Sequence, residues 1–197
     1  MVIEAYKLFK PSQLDVPYTF LSPADWQPRE ILENGIAKIF VAGPQNKANS
    51  FSASLMVRIS TSSTETTEDT ANSFIEKYHS AFKSKLLGMA SGILLDNSAV
   101  ELEVGYYLSL PLNSVNPIKT GIRERHIFFN HQGKSIELLY AAPEENYYDW
   151  LEAFRILVYT FASTKKTHNT TFKPLIPEAT LREVDKNEGG ESGEKSI

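Results

Sequence analysis

The chain contains no cysteine. That removes disulfides, thiol nucleophiles, iron–sulfur clusters and cysteine-based zinc sites together. It leaves the compartment open, because proteins without disulfides occur on both sides of a membrane. No apolar run approaches the ~18 residues of a membrane-spanning helix. Basic residues are the minority charge, 20 against 24 acidic ones, for a net charge of -4. This argues against nucleic acid as a partner, since a general binder presents a basic face. Motifs that carry chemistry are missing as well. There is no Gly-x-Ser-x-Gly elbow, no His-Glu-x-x-His, no phosphate-cradling glycine loop and no EF-hand pattern. The opening Met1-Val2-Ile3-Glu4-Ala5-Tyr6-Lys7 has no charged stretch feeding an apolar core, so no secretory signal is visible. Taken as written the chain is expected in the cytoplasm, or in a thylakoid lumen or periplasm if it is a processed form.

What is present is patterning. At 197 residues, 42% apolar and 22% charged, the chain fits one soluble domain with a real core. Residues 123–129 and 135–140 are strand-like and flank Asn130-His131-Gln132-Gly133, a tight turn with glycine where positive φ is easiest. Pro143 then opens an amphipathic helix reaching about Phe161, with Tyr147, Leu151, Phe154, Val158 and Phe161 on one stripe and Trp150 and Leu157 widening it. Upstream, Tyr18-Thr19-Phe20-Leu21 reads as a short strand stopping at a proline turn, with Trp26 folded back on the core. Ile36 to Val41 reads as a strand ended by Gly43-Pro44-Gln45-Asn46.

Two runs alternate strictly. Phe51, Ala53, Leu55, Val57 and Ile59 share one face. Val100, Leu102, Val104, Tyr106, Leu108 and Leu110 share another, opposite Glu101, Glu103, Tyr107 and Ser109. Period two over such lengths predicts an antiparallel sheet with one packed and one wetter face. Between them Thr66 or Thr67 caps a helix with Glu68 and Asp69 in its first turn. Its stripe runs Ala71, Phe74, Ile75, Tyr78, Phe82 and Leu86, with Gly88 as its stop. The fold class is therefore α+β, an antiparallel sheet of about six strands sandwiched by helices. Residues 1–164 form the domain, 165–181 an extended docking segment carrying Phe172, Leu175 and Ile176, and 182–197 a polar tail expected to be disordered.

The order and its punctuation resemble the Mog1/PsbP-like superfamily, which includes DcrB-like bacterial proteins. The resemblance rests on Phe20-Leu21-Ser22-Pro23-Ala24-Asp25-Trp26, the strand at 51–59, the Thr/Glu-opened helix, and Val104-Gly105-Tyr106. It continues through residues 125–129 and 135–140 to the closing helix with Phe154, Val158 and Phe161. It covers about residues 18–161 and implies an antiparallel sheet between helices. It also implies a binding or assembly role: members include photosystem II extrinsic subunits and assembly factors, a Ran-binding transport factor and envelope-associated proteins, most with no known enzymatic activity. The chain shows neither a lumenal targeting segment nor a lipobox cysteine.

Candidate sites are few. His126 and His131 flank one hairpin and could hold a metal with Glu124 or Glu137. His126 shares a strand face with Glu124, and His131 is expected in the turn, in solvent. Surface histidines account for the same pattern, so no metal and no cofactor is expected. Arg123 and Arg125 share a face with Ile127 and Phe129 and could grip a phosphate or an acidic partner. The competing reading pairs them across strands with Glu137, Glu101 or Glu103, and exposed pairs of that kind contribute under ~1 kcal/mol each. Glu101 and Glu103 read as a solvated face. Tyr107 and Tyr148 could anchor a protein interface. Asn169-Thr170-Thr171 fits a glycosylation sequon.

The leading expectation is thus a non-catalytic protein-binding or assembly module of unidentified partner. The alternative is an extrinsic subunit or assembly factor of a membrane complex such as photosystem II, peripheral because no span exists. A hydrolase would require a pocket with convergent polar groups and a perturbed pKa, and a buried, convergent cluster around His126 would count against the non-catalytic reading.

Overall fold

The computed structural model describes residues 5–14, 16–45, 51–61 and 65–163. The docking segment, the polar tail, His168 and the sequon lie outside the described residues. Within them, strands β1 (Tyr6–Phe9), β2 (Tyr18–Pro23), β3 (Gln27–Glu33), β4 (Ile36–Gln45) and β5 (Ser52–Thr61) precede helix α1 (Thr67–Phe82). Strands β6 (Lys85–Leu94), β7 (Asn97–Leu110), β8 (Ile118–His131) and β9 (Lys134–Pro143) lead to helix α2 (Tyr147–Thr160) and the short β10 (Ala162–Ser163). The fold is α+β. A seven-stranded antiparallel sheet runs in the order β3-β4-β5-β9-β8-β7-β6, and a small sheet runs β1-β2-β10.

Three two-residue turns organise the large sheet. Asn34-Gly35, Leu95-Asp96 and Gln132-Gly133 all take positive φ at both positions, the mirror-image turn whose twist matches paired strands. The last corrects the turn expected at 130–133. His131 still pairs with Lys134 across the hairpin, so it is a strand residue, 5% exposed, with Nδ1 3.0 Å from the Tyr18 hydroxyl.

The sheet has seven strands rather than about six because two pieces of pattern read differently. Asn34-Gly35 closes β3 onto β4, although Pro28 and three charges disguise β3 as a loop. Helix α1 stops at Phe82, where Lys83 takes the left-handed conformation at φ 51 and its N–H bonds the His79 carbonyl. Leu86 and Gly88 therefore belong to β6, which pairs with β7. At the other end Thr66 caps α1 as expected, its hydroxyl accepting from the Asp69 N–H.

The two helices lie on opposite faces. Phe74 of α1 meets His126 and Phe128 of β8. Phe154 of α2 meets Tyr140 of β9, whose register partner is Arg125, on the other face of β8. The α2 side holds the main core: inward rows of β4, β5 and β9, the small sheet, and Trp150, Leu151, Phe154, Leu157 and Val158. The α1 side holds two smaller clusters, one around Val100, Leu102 and Phe128 and one around Tyr106, Leu110 and Ile122. No helix among the described residues is long and apolar enough to cross a membrane.

Trp26 is 2% exposed and packs edge-on against Trp150 at 5.8 Å. Gly43 makes room for it: a Cβ there would sit 2.6 Å from Trp26 Cζ2 and 2.8 Å from the Ala53 carbonyl oxygen. Gly43→Ala is expected to cost about 1–3 kcal/mol through overpacking, read as a lower urea midpoint with an unchanged slope.

Candidate functional site

Strand β8 sends four consecutive ionisable residues inward. Arg123 and Arg125 point to the α2 side and Glu124 and His126 to the α1 side, each 6% exposed or less. A buried charge must be paired and hydrogen-bonded or it loses its ionisation, and each set has found its partners.

On the α2 side the partners come from β7. Arg125 donates to Glu103 Oε2 from Nε at 3.2 Å and from Nη2 at 2.9 Å, and its Nε lies 3.6 Å from Glu101. Arg123 lies 3.6 Å from Glu103 Oε1, donates to the Tyr148 hydroxyl at 3.1 Å and faces the Tyr147 ring at 5.4 Å. Glu101 and Glu103 are 1% and 0% exposed, which corrects the solvated face expected for them. The first turn of α2 roofs the cluster, so neither arginine is on a surface that a partner reaches. Tyr148, half-buried, closes the cluster, whereas Tyr107 is 60% exposed with Lys119 Nζ 4.2 Å from its ring centre. Glu137 lies on the opposite face and takes no part.

On the α1 side a chain of contacts runs through the sheet. Arg58 Nη1 of β5 donates to Glu137 Oε2 at 2.7 Å. His126 Nδ1 lies 2.8 Å from Glu137 Oε1, and its Nε2 lies 3.2 Å from Glu124 Oε2. The Tyr106 hydroxyl donates to Glu124 Oε1 at 2.8 Å. Burial alone would lower the His126 pKa. Its hydrogen bonds to the Glu124 and Glu137 carboxylates, with their charges, outweigh burial and raise the pKa from 6.5 to about 9. Burial likewise opposes the Glu137 charge, and His126 and Arg58 overcome that to hold its pKa below the usual 4.5. The Tyr106 and Tyr78 hydroxyls are pushed well up, by burial first and the Glu124 charge second. The sequence reading placed Glu124 beside His126 but did not foresee Arg58, Tyr78 and Tyr106. The alternation of β5, with Arg58 opposite Val57 and Ile59, carried the signal for Arg58.

This is a buried, convergent cluster around His126 with perturbed pKa values. As such it counts against the non-catalytic expectation. His126 is 1% exposed, and both of its ring nitrogens lie within hydrogen-bond distance of carboxylates. Glu124, His126 and Glu137 share hydrogen bonds but do not open toward a common centre, and among the described residues no group of three or more His, Asp or Glu is arranged to hold a metal.

The cluster reaches the surface through Glu137, at the floor of a groove of about 280 Å³ between α1 and the sheet. One wall is a helical stripe of α1, Thr70, Ser73, Phe74 and Lys77. The floor is Arg58, Ser60, Phe128, Ser135 and Glu137, with Ile36 and Glu65 at the margins.

Two outcomes are expected. His126 is raised above its unfolded value, so its stabilisation is complete below pH 6.5 and is lost as pH climbs through about 9. Glu137 is depressed, so its share is present above pH 4.5 and lost as pH falls through its lower folded value. Denaturant titrations should therefore show stability falling between neutral pH and pH 9 by up to about 3 kcal/mol, and His126→Gln should flatten that limb. On the other face, Arg125→Met should cost about 3–5 kcal/mol by stranding Glu103. The double variant Arg125→Met/Glu103→Leu should recover only part of the loss, because Arg123 also faces Glu103 and Glu101 also faces Arg125; losses that simply add would mean that Arg125 and Glu103 are not coupled.

No protein-family model matches the chain, and no curated protein does. Among solved structures it is similar to cyanobacterial PsbP (CyanoP) from Synechocystis sp. PCC 6803, with TM-score 0.51 and 14% identity over 80% of this chain and 92% of that one. It is similar to PA94, a protein of unknown function from Pseudomonas aeruginosa, with TM-score 0.52 and 11% identity over 84% of this chain and 99% of that one. A weaker likeness, TM-score 0.41 at 14% identity, links 81% of it to 78% of LpqN, involved in cell envelope biogenesis of Mycobacterium tuberculosis, and carries no argument. Likeness at such identities establishes architecture alone, and the architecture is the Mog1/PsbP-like fold.

Proposed function

We propose that the chain is a non-catalytic binding or assembly module that takes an extended segment of a protein partner along strand β6. The observation that carries this is the difference between the two edges of the large sheet. The β3 edge is blunted in the ways proteins use against unwanted pairing. It carries Pro28, Arg29, Glu30 and Glu33, and Glu30 accepts backbone N–H bonds from Ser12, Gln13 and Leu14, which ties a loop to it. The β6 edge has fewer of these devices, Lys85 at its start and a register shift between Leu86 and Gly88. Its 10 residues, KLLGMASGIL, contain no proline and no charge after Lys85. Among the described residues it pairs on one side only.

Its side chains agree with its backbone. Met89 pairs with Leu102 and Leu86 with Val104, so the apolar row beneath α1 continues outward to the edge. There Leu86 is 46%, Met89 44% and Ile93 68% exposed. An added strand would gain main-chain hydrogen bonds along the edge and contacts with this row for selectivity. The second reading, an extrinsic subunit or assembly factor of a membrane complex such as photosystem II, uses the same edge and differs in where the partner resides.

Affinity capture from lysate and membranes of the source organism tests both. Full-length chain and a Met89→Lys/Ile93→Lys variant of unchanged Tm are compared. The expected result is a partner held by the unmodified chain and lost by at least about tenfold with the variant, through the charges placed on the edge. A partner in the membrane fraction would favour the second reading. Equal capture by both proteins would rule out the β6 edge.

A further inference from the structure

The groove beside α1 is built in a way that packing does not explain. Helix α1 packs over β7 and β8, while its stripe Thr70, Ser73, Phe74 and Lys77 faces a neighbouring cavity. The stripe of α1 turned toward the sheet is apolar, Ala71, Phe74 and Ile75; Thr70, Ser73 and Lys77 flank it on the groove side. Strand β5 shows the same asymmetry. Leu55, Val57 and Ile59 fill the main core on one face, while Arg58 and Ser60 floor the groove on the other. Hydroxyls and cations are thus held around an open volume of about 280 Å³, at the small end of ligand sites.

From this we infer that the groove binds a small organic oxyanion with a flat apolar body, the anionic head on Arg58 and Lys77 and the body against Phe74 and Phe128. Arg58 is held in place from behind. Its Nη1 donates to Glu137 Oε2 at 2.7 Å, and Glu137 is fixed by His126 at 2.8 Å. Nη2 makes no hydrogen bond among the described residues, and the side chain is 37% exposed. Among the described residues Lys77, an exposed cation on the wall, has no carboxylate partner. The hydroxyls of Ser73 and Ser135 line the same space and can donate to the remaining oxygens, while those of Thr70 and Ser60 donate to the Thr66 and Ser135 carbonyls. Of the two acidic residues present, Glu137 is neutralised between Arg58 and His126. Glu65 is exposed at the margin, where solvent screens it. Half-buried Phe74 gives the body a surface, backed by the buried Phe128 ring at 5.2 Å. The preference follows from the groove offering a contact to both parts of the ligand, since an anion alone leaves Phe74 unused and a neutral ring leaves Lys77 and the solvent side of Arg58 unused.

The test is a titration of the full chain, followed by amide chemical shifts and calorimetry, with phenyl phosphate, benzoate, inorganic phosphate and benzyl alcohol. Phenyl phosphate or benzoate should saturate with shifts centred on α1 and β5, at least about tenfold tighter than inorganic phosphate or benzyl alcohol. The arm that binds identifies the head group. Lys77→Ala, an exposed change that should leave Tm unchanged, should weaken binding by roughly fivefold or more. Ser73→Leu, which fills the groove from the helix side, should abolish it. The inference is overturned if neither aromatic anion saturates at millimolar concentration while Tm and amide dispersion report a folded protein. Binding that survives both substitutions, or inorganic phosphate binding as tightly as its phenyl ester, overturns it equally.

Discussion

Four charges carried on consecutive residues of a buried strand set the terms for the rest of this structure. Arg123, Glu124, Arg125 and His126 cannot reach water, and alternation sends two to each face of the sheet. Each pair needs counter-charges from neighbouring strands, because an isolated ion in such surroundings would lose its charge. Strand β7 supplies Glu101 and Glu103 on one side, and β5 and β9 supply Arg58 and Glu137 on the other. Register is thereby fixed twice over. A slip of one residue would bury apolar side chains against charges on both faces.

The helices follow from the same constraint. Helix α2 starts where its Tyr147 and Tyr148 can roof the arginine cluster, then runs back over the apolar rows of β5 and β9. Helix α1 brings Phe74 and Tyr78 over His126, removing water and strengthening the hydrogen bonds within. Neutralised ion networks of this kind add little net stability relative to apolar packing. Their effect here is on arrangement: they hold Arg58 at the floor of the α1 groove.

The two open surfaces have different physical character. The groove is small, open to solvent and lined by both polar and apolar side chains, and its Arg58 is held from inside the sheet. The β6 edge is apolar, extended and open along its backbone. One suits a small anion and the other a strand, and α1 stands between them, packed on β7 and β8.

Much of the fold could be read from residue order alone. Period-two rows at Leu55, Val57 and Ile59 and at Val100, Leu102 and Val104 specify strands because side chains alternate across a pleat. The stripes of both helices specify their buried faces for the corresponding reason at period 3.6. Asn34-Gly35 encodes the β3–β4 hairpin as plainly as Gln132-Gly133 encodes the β8–β9 hairpin, yet Pro28 and three charges mask it, since an edge strand need not alternate. The end of α1 was obscured because Leu86 continues its stripe by spacing, while the left-handed Lys83 that breaks the helix carries no glycine signal. What sequence by itself determined is the central strands, the two helices and the apolar face of each, local consequences of periodicity; β3 and β6 escaped it. Tertiary structure alone decided that Glu101, Glu103, Arg123 and Arg125 are buried partners rather than surface charges, that Arg58 joins His126 through Glu137, and that a groove remains beside α1. Those facts depend on which strands become neighbours, and Arg58 and Glu137 are 79 residues apart in the chain.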